Sequence, residues 1–122
     1  MKKLIFLMLF LISTPSQALD GNGFLMICKS SDSTEFNTCQ GYIGGILDNS
    51  YAAREAFIKI MPLAEQKKTI PRESRNCMPE SIEINQARLI IIKWLEAHPE
   101  NLHKRVIDDA HKALRDAFPC QD

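Results

Sequence analysis

The sequence predicts an all-α fold, a small disulfide-stapled bundle of about four helices. Two observations predict it. Apolar residues recur with a helical period along nearly the whole chain after residue 18, and that stretch also contains four cysteines. A domain of this size has a thin stability margin from its core alone, so covalent cross-links would help to stabilise it. No internal repeat or low-complexity tract divides the chain, and residues 19–122 therefore read as one domain.

Residues 1–18, MKKLIFLMLFLISTPSQA, have the features of a secretory signal peptide. Two lysines precede an apolar run over residues 4–12, and the small residues that follow predict cleavage after Ala18. An uncleaved membrane anchor is the alternative, but nine apolar residues fall short of the roughly 20 that a spanning helix needs. We therefore expect a soluble periplasmic product with no membrane contact after cleavage.

Charge argues against nucleic acid as a partner. Without the two lysines of the predicted signal peptide, 13 basic and 15 acidic residues remain, and no basic run is present that would follow a phosphate backbone. The longest apolar runs after the predicted cleavage site, residues 24–28 and 89–92, are too short to cross a bilayer.

All four cysteines lie beyond the predicted cleavage site: Cys28, Cys39, Cys77 and Cys120. Because an exported chain meets an oxidising compartment, two disulfides are the expectation. Zinc binding is the competing interpretation, yet the chain has no CxxC motif, and none of its three histidines lies near a cysteine in sequence. We expect neither a metal nor a cofactor.

The four predicted helices span about residues 23–29, 38–60, 84–97 and 101–118. Asn22 is the expected N-cap of the first, and the polar residues 30–37 are expected to form a linker before the second. Pro62 ends the second helix, whose stripe at helical spacing is expected to face the core: Cys39, Ile43, Ile46, Ser50, Phe57 and Met61.

The third predicted helix has an apolar arc that is wider than a single contact requires. Either this helix lies at the centre of the bundle, or its extra face meets a second subunit. In a homodimer, we expect Leu89, Ile92 or Trp94 at the two-fold contact.

The second predicted helix contains three glycines in the stretch CQGYIGGILD, residues 39–48. Each glycine costs about 0.5 to 1 kcal/mol relative to alanine inside a helix, so a compensating gain is expected. We expect Gly41, Gly45 and Asp48 to form a flat face that packs against the alanines of the fourth helix, with Asp48 as a structural carboxylate. A phosphate-binding loop is the weaker alternative, because no strand precedes the glycines and no GK[ST] or GxGxxG pattern is present.

Residues 62–79, PLAEQKKTIPRESRNCMP, carry three prolines and no sustained period, which predicts a long exposed loop. This segment has four basic and two acidic residues. Loops of such length are either functional or simple solvated connectors, and a disulfide at Cys77 favours a tethered, functional loop.

Four stretches together resemble the Rap/Tai family of immunity proteins: DGNGFLMIC at 20–28, CQGYIGGILD at 39–48, CMPESIEINQ at 77–86, and WLEAHPENLH with ALRDAFPC near the end. The resemblance covers essentially the whole mature chain. One departure is Glu83, where the family often has threonine, and this weakens the capping box expected with Gln86. The resemblance implies a periplasmic helical inhibitor, often dimeric, that occludes a peptidoglycan amidase effector of type VI secretion.

In such an inhibitor, the contact with the amidase effector is expected on the 62–79 loop, through Lys67, Lys68, Ile70, Arg72, Glu73 and Arg75. Its positive charge would complement an acidic groove rim. The 30–37 linker is a competing contact surface. No catalytic residue is expected, because cysteines consumed by disulfides leave no thiolate to pair with His98, His103 or His111. A periplasmic helical chaperone or stress-binding module is the alternative function.

Helix geometry predicts which cysteines pair. If the first two helices form one hairpin and the last two another, the start of one helix lies beside the end of its partner. That arrangement predicts the disulfides Cys28–Cys39 and Cys77–Cys120.

Overall fold

The computed structural model describes residues 17–121, and these residues form helices, turns and coil but no strand. The five helices are α1 (Gly21–Cys28), α2 (Ser33–Ile60), α3 (Leu63–Thr69), α4 (Ile84–Ala97) and α5 (Val106–Ala117). Short 3-10 turns cover Arg72–Ser74 and Pro99–Asn101. The all-α prediction is confirmed. Apart from its last two residues, the predicted signal peptide lies outside the described residues.

Helix α1 begins two residues earlier than predicted because Asp20 caps it instead of Asn22. One carboxylate oxygen of Asp20 accepts a hydrogen bond from the backbone N–H of Gly23 at 2.8 Å. Asn22 is therefore inside the first turn, where its own backbone N–H donates to the Leu102 carbonyl at 3.1 Å.

Helix α2 also begins earlier than predicted, so the linker before it ends at Asp32 and not at residue 37. The Asp32 carboxylate accepts from the backbone N–H groups of Thr34 at 2.9 Å and Glu35 at 3.0 Å. These bonds satisfy two donors that the first turn of a helix leaves open, so the polar residues after Asp32 join the helix.

Helix α5 begins five residues later than predicted, because the chain before it runs beside the residues that lead into α1. The Gly21 N–H donates to the Lys104 carbonyl at 3.2 Å, and the Val106 N–H donates to the Leu19 carbonyl at 3.0 Å. The approach is close: a Cβ on Gly21 would lie 2.9 Å from the Leu102 Cα. The carbonyls of Leu102 and Lys104 therefore accept hydrogen bonds from the first residues of α1 instead of from a turn of α5.

Helix α4 lies at the centre of the bundle, where it packs against α1, α2 and α5. Its wide apolar arc is explained by these three neighbours. The largest fully buried apolar side chains belong to all four of these helices: Phe24, Ile43, Ile91, Leu95 and Val106. None of the helices within residues 17–121 is both long and apolar enough to cross a membrane.

The disulfide pairing predicted from the hairpins is confirmed. Cys28–Cys39 joins the end of α1 to the first half of α2, and Cys77–Cys120 joins the chain before α4 to the chain after α5. Each pair has a Cα–Cα distance of 5.1 Å.

The predicted packing face of glycines is wrong. Gly41, Gly45 and Asp48 are exposed, and a Cβ built on either glycine would meet no atom within 4 Å. Helix α5 packs mainly on α4, so its alanines do not cover this side of α2. Among the glycines of α2, Gly44 alone comes near another helix, and a Cβ there would lie 3.6 Å from the Ile84 side chain.

Candidate partner-binding surface

The 62–79 segment is ordered and partly helical, so the prediction of an irregular loop is wrong. It contains α3 and the Arg72–Ser74 turn, and each of these begins directly after a proline, Pro62 or Pro71. Proline fixes φ at a value suited to the start of a helix. With seven residues, α3 has only two turns, too few to show a periodic pattern in the sequence.

The C-terminal part of the 62–79 segment is fixed to the middle of α2. Three side chains donate to backbone carbonyls: Asn76 Nδ2 to Ser50 at 3.2 Å, Arg54 to Met78 at 3.2 Å, and the Tyr51 hydroxyl to Pro79 at 2.8 Å. The Cys77–Cys120 disulfide adds a covalent link to the end of α5. The segment is therefore attached to two helices at its base.

The N-terminal part of the segment is held by Gln66 of α3. Its side chain is buried, and Nε2 donates to the Met61 carbonyl at 2.7 Å. Between α3 and α2 lies a cleft of about 200 Å³. Phe57, Ile70 and Asn76 are among the residues that line it. The segment thus presents a concavity beside its exposed charges.

Four of the six predicted contact residues are exposed: Lys67, Lys68, Arg72 and Glu73. Ile70 is half-buried in the cleft wall. Arg75 is only 9% exposed, because the chain turns inward there toward the disulfide at Cys77. Its burial argues against Arg75 as a contact residue.

Sequence reasoning missed an exposed apolar group at the junction of α2 and α3. This apolar corner consists of Phe57, Ile60 and Leu63, which are 40%, 81% and 51% exposed. Phe57 was expected in the core stripe of the second helix, but no residue of α2 after Ser50 is buried.

Helix lengths explain why the core stripe ends at Ser50. With 28 residues, α2 is about 42 Å long, whereas α4, with 14 residues, is about 21 Å long. The last turns of α2 therefore extend past the helix that covers its first half. The sequence does contain a signal for this exposure, because the second predicted helix is much longer than the third.

The predicted dimer contact is largely inside the protein. Ile92 and Trp94 are buried, and the Trp94 indole N–H donates to the Asp116 carboxylate at 3.2 Å. The indole ring also stacks on His98 at a centroid distance of 3.9 Å. Burial argues against Ile92 and Trp94 at a two-fold contact, and of the three predicted residues only Leu89, at 52% exposed, faces outward.

His111 lies half-buried near the base of the 62–79 segment, with Nδ1 3.4 Å from the Ser50 hydroxyl oxygen. The Ser50 hydroxyl donates to the Ile46 carbonyl at 2.8 Å, so a hydrogen bond between Ser50 and His111 requires the hydrogen on Nδ1. Burial lowers the pKa of His111 and the nearby Arg115 lowers it further, against an opposing effect of Asp108.

Within residues 17–121, no group of three or more histidine, cysteine or acidic side chains is placed to hold a metal ion. Every cysteine of the chain is in a disulfide. Residues 17–121 can contact a partner through their shape, charge and apolar area.

Residues 17–121 thus form a disulfide-linked helical scaffold with a surface segment that carries exposed charges. The family model of the Rap1a immunity proteins matches residues 20–120, and the chain belongs to that family. The resemblance to the immunity proteins is thereby confirmed. Neither a curated protein nor a solved structure matches the chain significantly. Family membership supports the general role, an immunity protein that binds a protein effector.

Proposed function

We propose that this chain is a periplasmic immunity protein that binds and occludes a peptidoglycan amidase effector of type VI secretion. In this role it protects the producing cell by blocking access to the amidase active site and performs no chemistry of its own. The observation that carries the proposal is the family match over residues 20–120. The signal-peptide features of residues 1–18 and the two disulfides support export to an oxidising compartment.

The 62–79 segment is the proposed inhibitory element. Its exposed side chains include Lys67, Lys68 and Arg72, on a mature chain that is otherwise net negative. Such charge suits an acidic rim around the amidase groove. Because the segment is already ordered by a disulfide and by bonds to α2, it loses little conformational freedom on binding.

The test is charge reversal on this segment against a matched reversal elsewhere. The variant Lys67→Glu/Lys68→Glu/Arg72→Glu changes three exposed cations of the segment. The control Lys93→Glu/Lys104→Glu/Arg105→Glu changes three exposed cations outside it. We expect the first variant to bind a type VI secretion amidase effector from the same organism at least about tenfold more weakly than the wild type does, with the loss greatest at low salt.

Inhibition of peptidoglycan cleavage by the purified amidase is the second measurement. The control variant should inhibit as the wild type does. If the wild-type protein fails to inhibit the amidase, the proposed function is wrong. If both variants inhibit as well as the wild type, the function stands but the inhibitory surface lies outside the 62–79 segment.

A homodimer is a further part of the proposal, with Leu89 of α4 at the contact. The support is the resemblance to immunity proteins that are often dimeric, and Leu89 is the one predicted contact residue that the described fold leaves exposed. Light scattering at high micromolar concentration should give a dimer mass for the wild type and a monomer mass for Leu89→Glu. A wild-type monomer at that concentration contradicts the dimer.

A further inference from the structure

The apolar corner concentrates exposed apolar area in one place. Six large apolar residues are exposed among residues 17–121, and three of them, Phe57, Ile60 and Leu63, lie within seven positions. Helix α2 ends at Ile60 and α3 begins at Leu63, so these two side chains stand on either side of one tight junction. Phe57 lies one helical turn before Ile60, on the same side of α2.

The fold does not need this corner for its own core. Buried residues of α2 end at Ser50, and the helix continues for ten more residues to Ile60. The last turns of α2 therefore hold an apolar group away from the bundle. Large exposed apolar side chains that cluster, rather than stand singly, are typical of interaction sites.

Charge around the corner indicates what kind of partner fits it. Over residues 54–73 the cations are Arg54, Lys59, Lys67, Lys68 and Arg72 and the anions are Glu55, Glu65 and Glu73, five positive charges against three negative ones. A second copy bound through the same surface would bring these positive charges together, because a two-fold contact repeats each residue across the axis. An acidic partner surface avoids this repulsion.

The cleft beside the corner favours a folded protein as that partner. Phe57 belongs both to the apolar corner and to the wall of the 200 Å³ cleft, which Ile70 and Gln66 also line. A folded protein can fit both features at once. One of its pockets can take the protruding apolar group while one of its side chains enters the cleft. A lipid bilayer has no fixed pockets or side chains of this kind.

We propose that the apolar corner is the anchor that holds the effector, inserted into an apolar pocket whose rim is acidic. This inference rests on the proposed function and deepens it, because it separates two parts of one surface. The charged residues of the 62–79 segment steer the approach of the effector, and Ile60 with its neighbours supplies the buried centre of the contact.

The test compares two single substitutions of similarly exposed apolar residues. Ile60→Ser removes the most exposed side chain of the corner, and Met26→Ser is the matched control, since Met26 of α1 is 64% exposed. Calorimetric titration measures the affinity of each variant for the same type VI secretion amidase effector. Ile60→Ser should weaken binding by at least about tenfold, and Met26→Ser by less than about twofold. Urea unfolding of both variants verifies that they are folded.

The outcomes separate the two proposals. If wild-type protein binds the amidase and Ile60→Ser binds equally well, the anchor is wrong and the proposed function stands. If both substitutions weaken binding alike, the anchor is also wrong. If the wild type does not bind the amidase at all, the proposed function fails and the anchor falls with it.

Two alternative partners of the apolar corner, a second copy of the chain and a lipid bilayer, are tested separately. Sedimentation of wild type and Ile60→Ser measures self-association, and flotation with phosphatidylglycerol vesicles measures lipid binding. A wild-type dimer or vesicle complex that Ile60→Ser abolishes, with amidase affinity unchanged, would assign the corner to a second copy or to a membrane and overturn the proposal.

Discussion

The Tyr51 hydroxyl donates a hydrogen bond to the Pro79 carbonyl at 2.8 Å, across 28 positions of sequence. This contact joins the middle of α2 to the residue where the 62–79 segment ends. The disulfide at Cys77 lies two positions earlier. The base of the proposed inhibitory segment is therefore fixed by a covalent link and, two residues further on, by this polar contact, in addition to the bonds at Asn76 and Met78.

Tyr51→Phe should loosen this base without unfolding the protein. The substitution removes only the hydroxyl, and the bond is exposed, so we expect the free energy of unfolding to fall by about 0.5 to 1 kcal/mol. Amide hydrogen exchange of residues 76–83 should become faster, while exchange in α4 stays the same. Unchanged exchange at residues 76–83 would show that the bond does not order the segment.

The two disulfides should differ in their effect on inhibition. The Cys77–Cys120 and Cys28–Cys39 pairs close separations of 43 and 11 residues, and the chain-entropy model assigns them upper-end contributions of about 4 and about 3 kcal/mol. Urea unfolding of Cys77→Ser/Cys120→Ser and of Cys28→Ser/Cys39→Ser measures both losses.

Amidase inhibition by the folded fraction then distinguishes the two bridges. The Cys77→Ser/Cys120→Ser variant should inhibit more weakly, because the 62–79 segment loses its covalent link to α5. The Cys28→Ser/Cys39→Ser variant should inhibit as the wild type does once its lower stability is corrected for. Equal inhibition by both folded variants would contradict the role of the tether.

Acid should reduce stability through His111. Burial and Arg115 hold the pKa of His111 below its ordinary value of 6.5. Between the two pKa values the unfolded chain binds more protons than the folded chain, so the free energy of unfolding rises with pH in that window. The contribution of neutral His111 is complete above about pH 6.5 and is lost as the pH falls toward the folded-state pKa.

His111→Asn removes the titration but keeps an amide that can donate to Ser50. Urea unfolding at pH 7.5 and pH 5.5 should show a larger loss of stability for the wild type than for this variant. The carboxylates and the other histidines are common to both proteins, so the difference isolates His111. Equal losses would show that the imidazole titrates as it does in the unfolded chain.

Local sequence signals predicted the helix ends that prolines determine. Helix α4 spans Ile84–Ala97 as expected, although Glu83 at its start makes no side-chain capping bond. Helix α2 ends at Ile60, ahead of Pro62. Helix starts were harder to predict, because Asp20 and Asn22 are both good capping residues and the choice depends on the backbone pairing with residues 102–106.

The candidate surface was harder to predict than the fold. Periodicity shows which residues share one face of a helix, but it does not show how far the neighbouring helix extends along that face. The period therefore placed Phe57 in the core stripe of α2, although α4 is half as long as α2 and does not reach it. Arg75 is a charged residue in a segment rich in proline, so the sequence indicates an exposed position. The chain turns inward there toward Cys77, and Arg75 is therefore buried.

Substituting the exposed glycines of α2 with alanine should stabilise the protein. A Cβ at Gly41 or Gly45 meets no atom within 4 Å, and both positions are inside a regular helix. Alanine there reduces the freedom of the unfolded chain and adds no clash. We expect a gain of about 0.5 to 1 kcal/mol at each site, measured by urea unfolding.

Gly21→Ala is the contrasting control, because its Cβ would lie 2.9 Å from the Leu102 Cα and 3.1 Å from the Leu102 carbonyl oxygen. These are backbone atoms, so α1 must move away from residues 102–105, and the bond from the Gly21 N–H to the Lys104 carbonyl would weaken. This variant should lose stability. If Gly41→Ala or Gly45→Ala is destabilising instead, that face of α2 is covered in solution, and a second copy of the chain becomes the first occupant to test by light scattering.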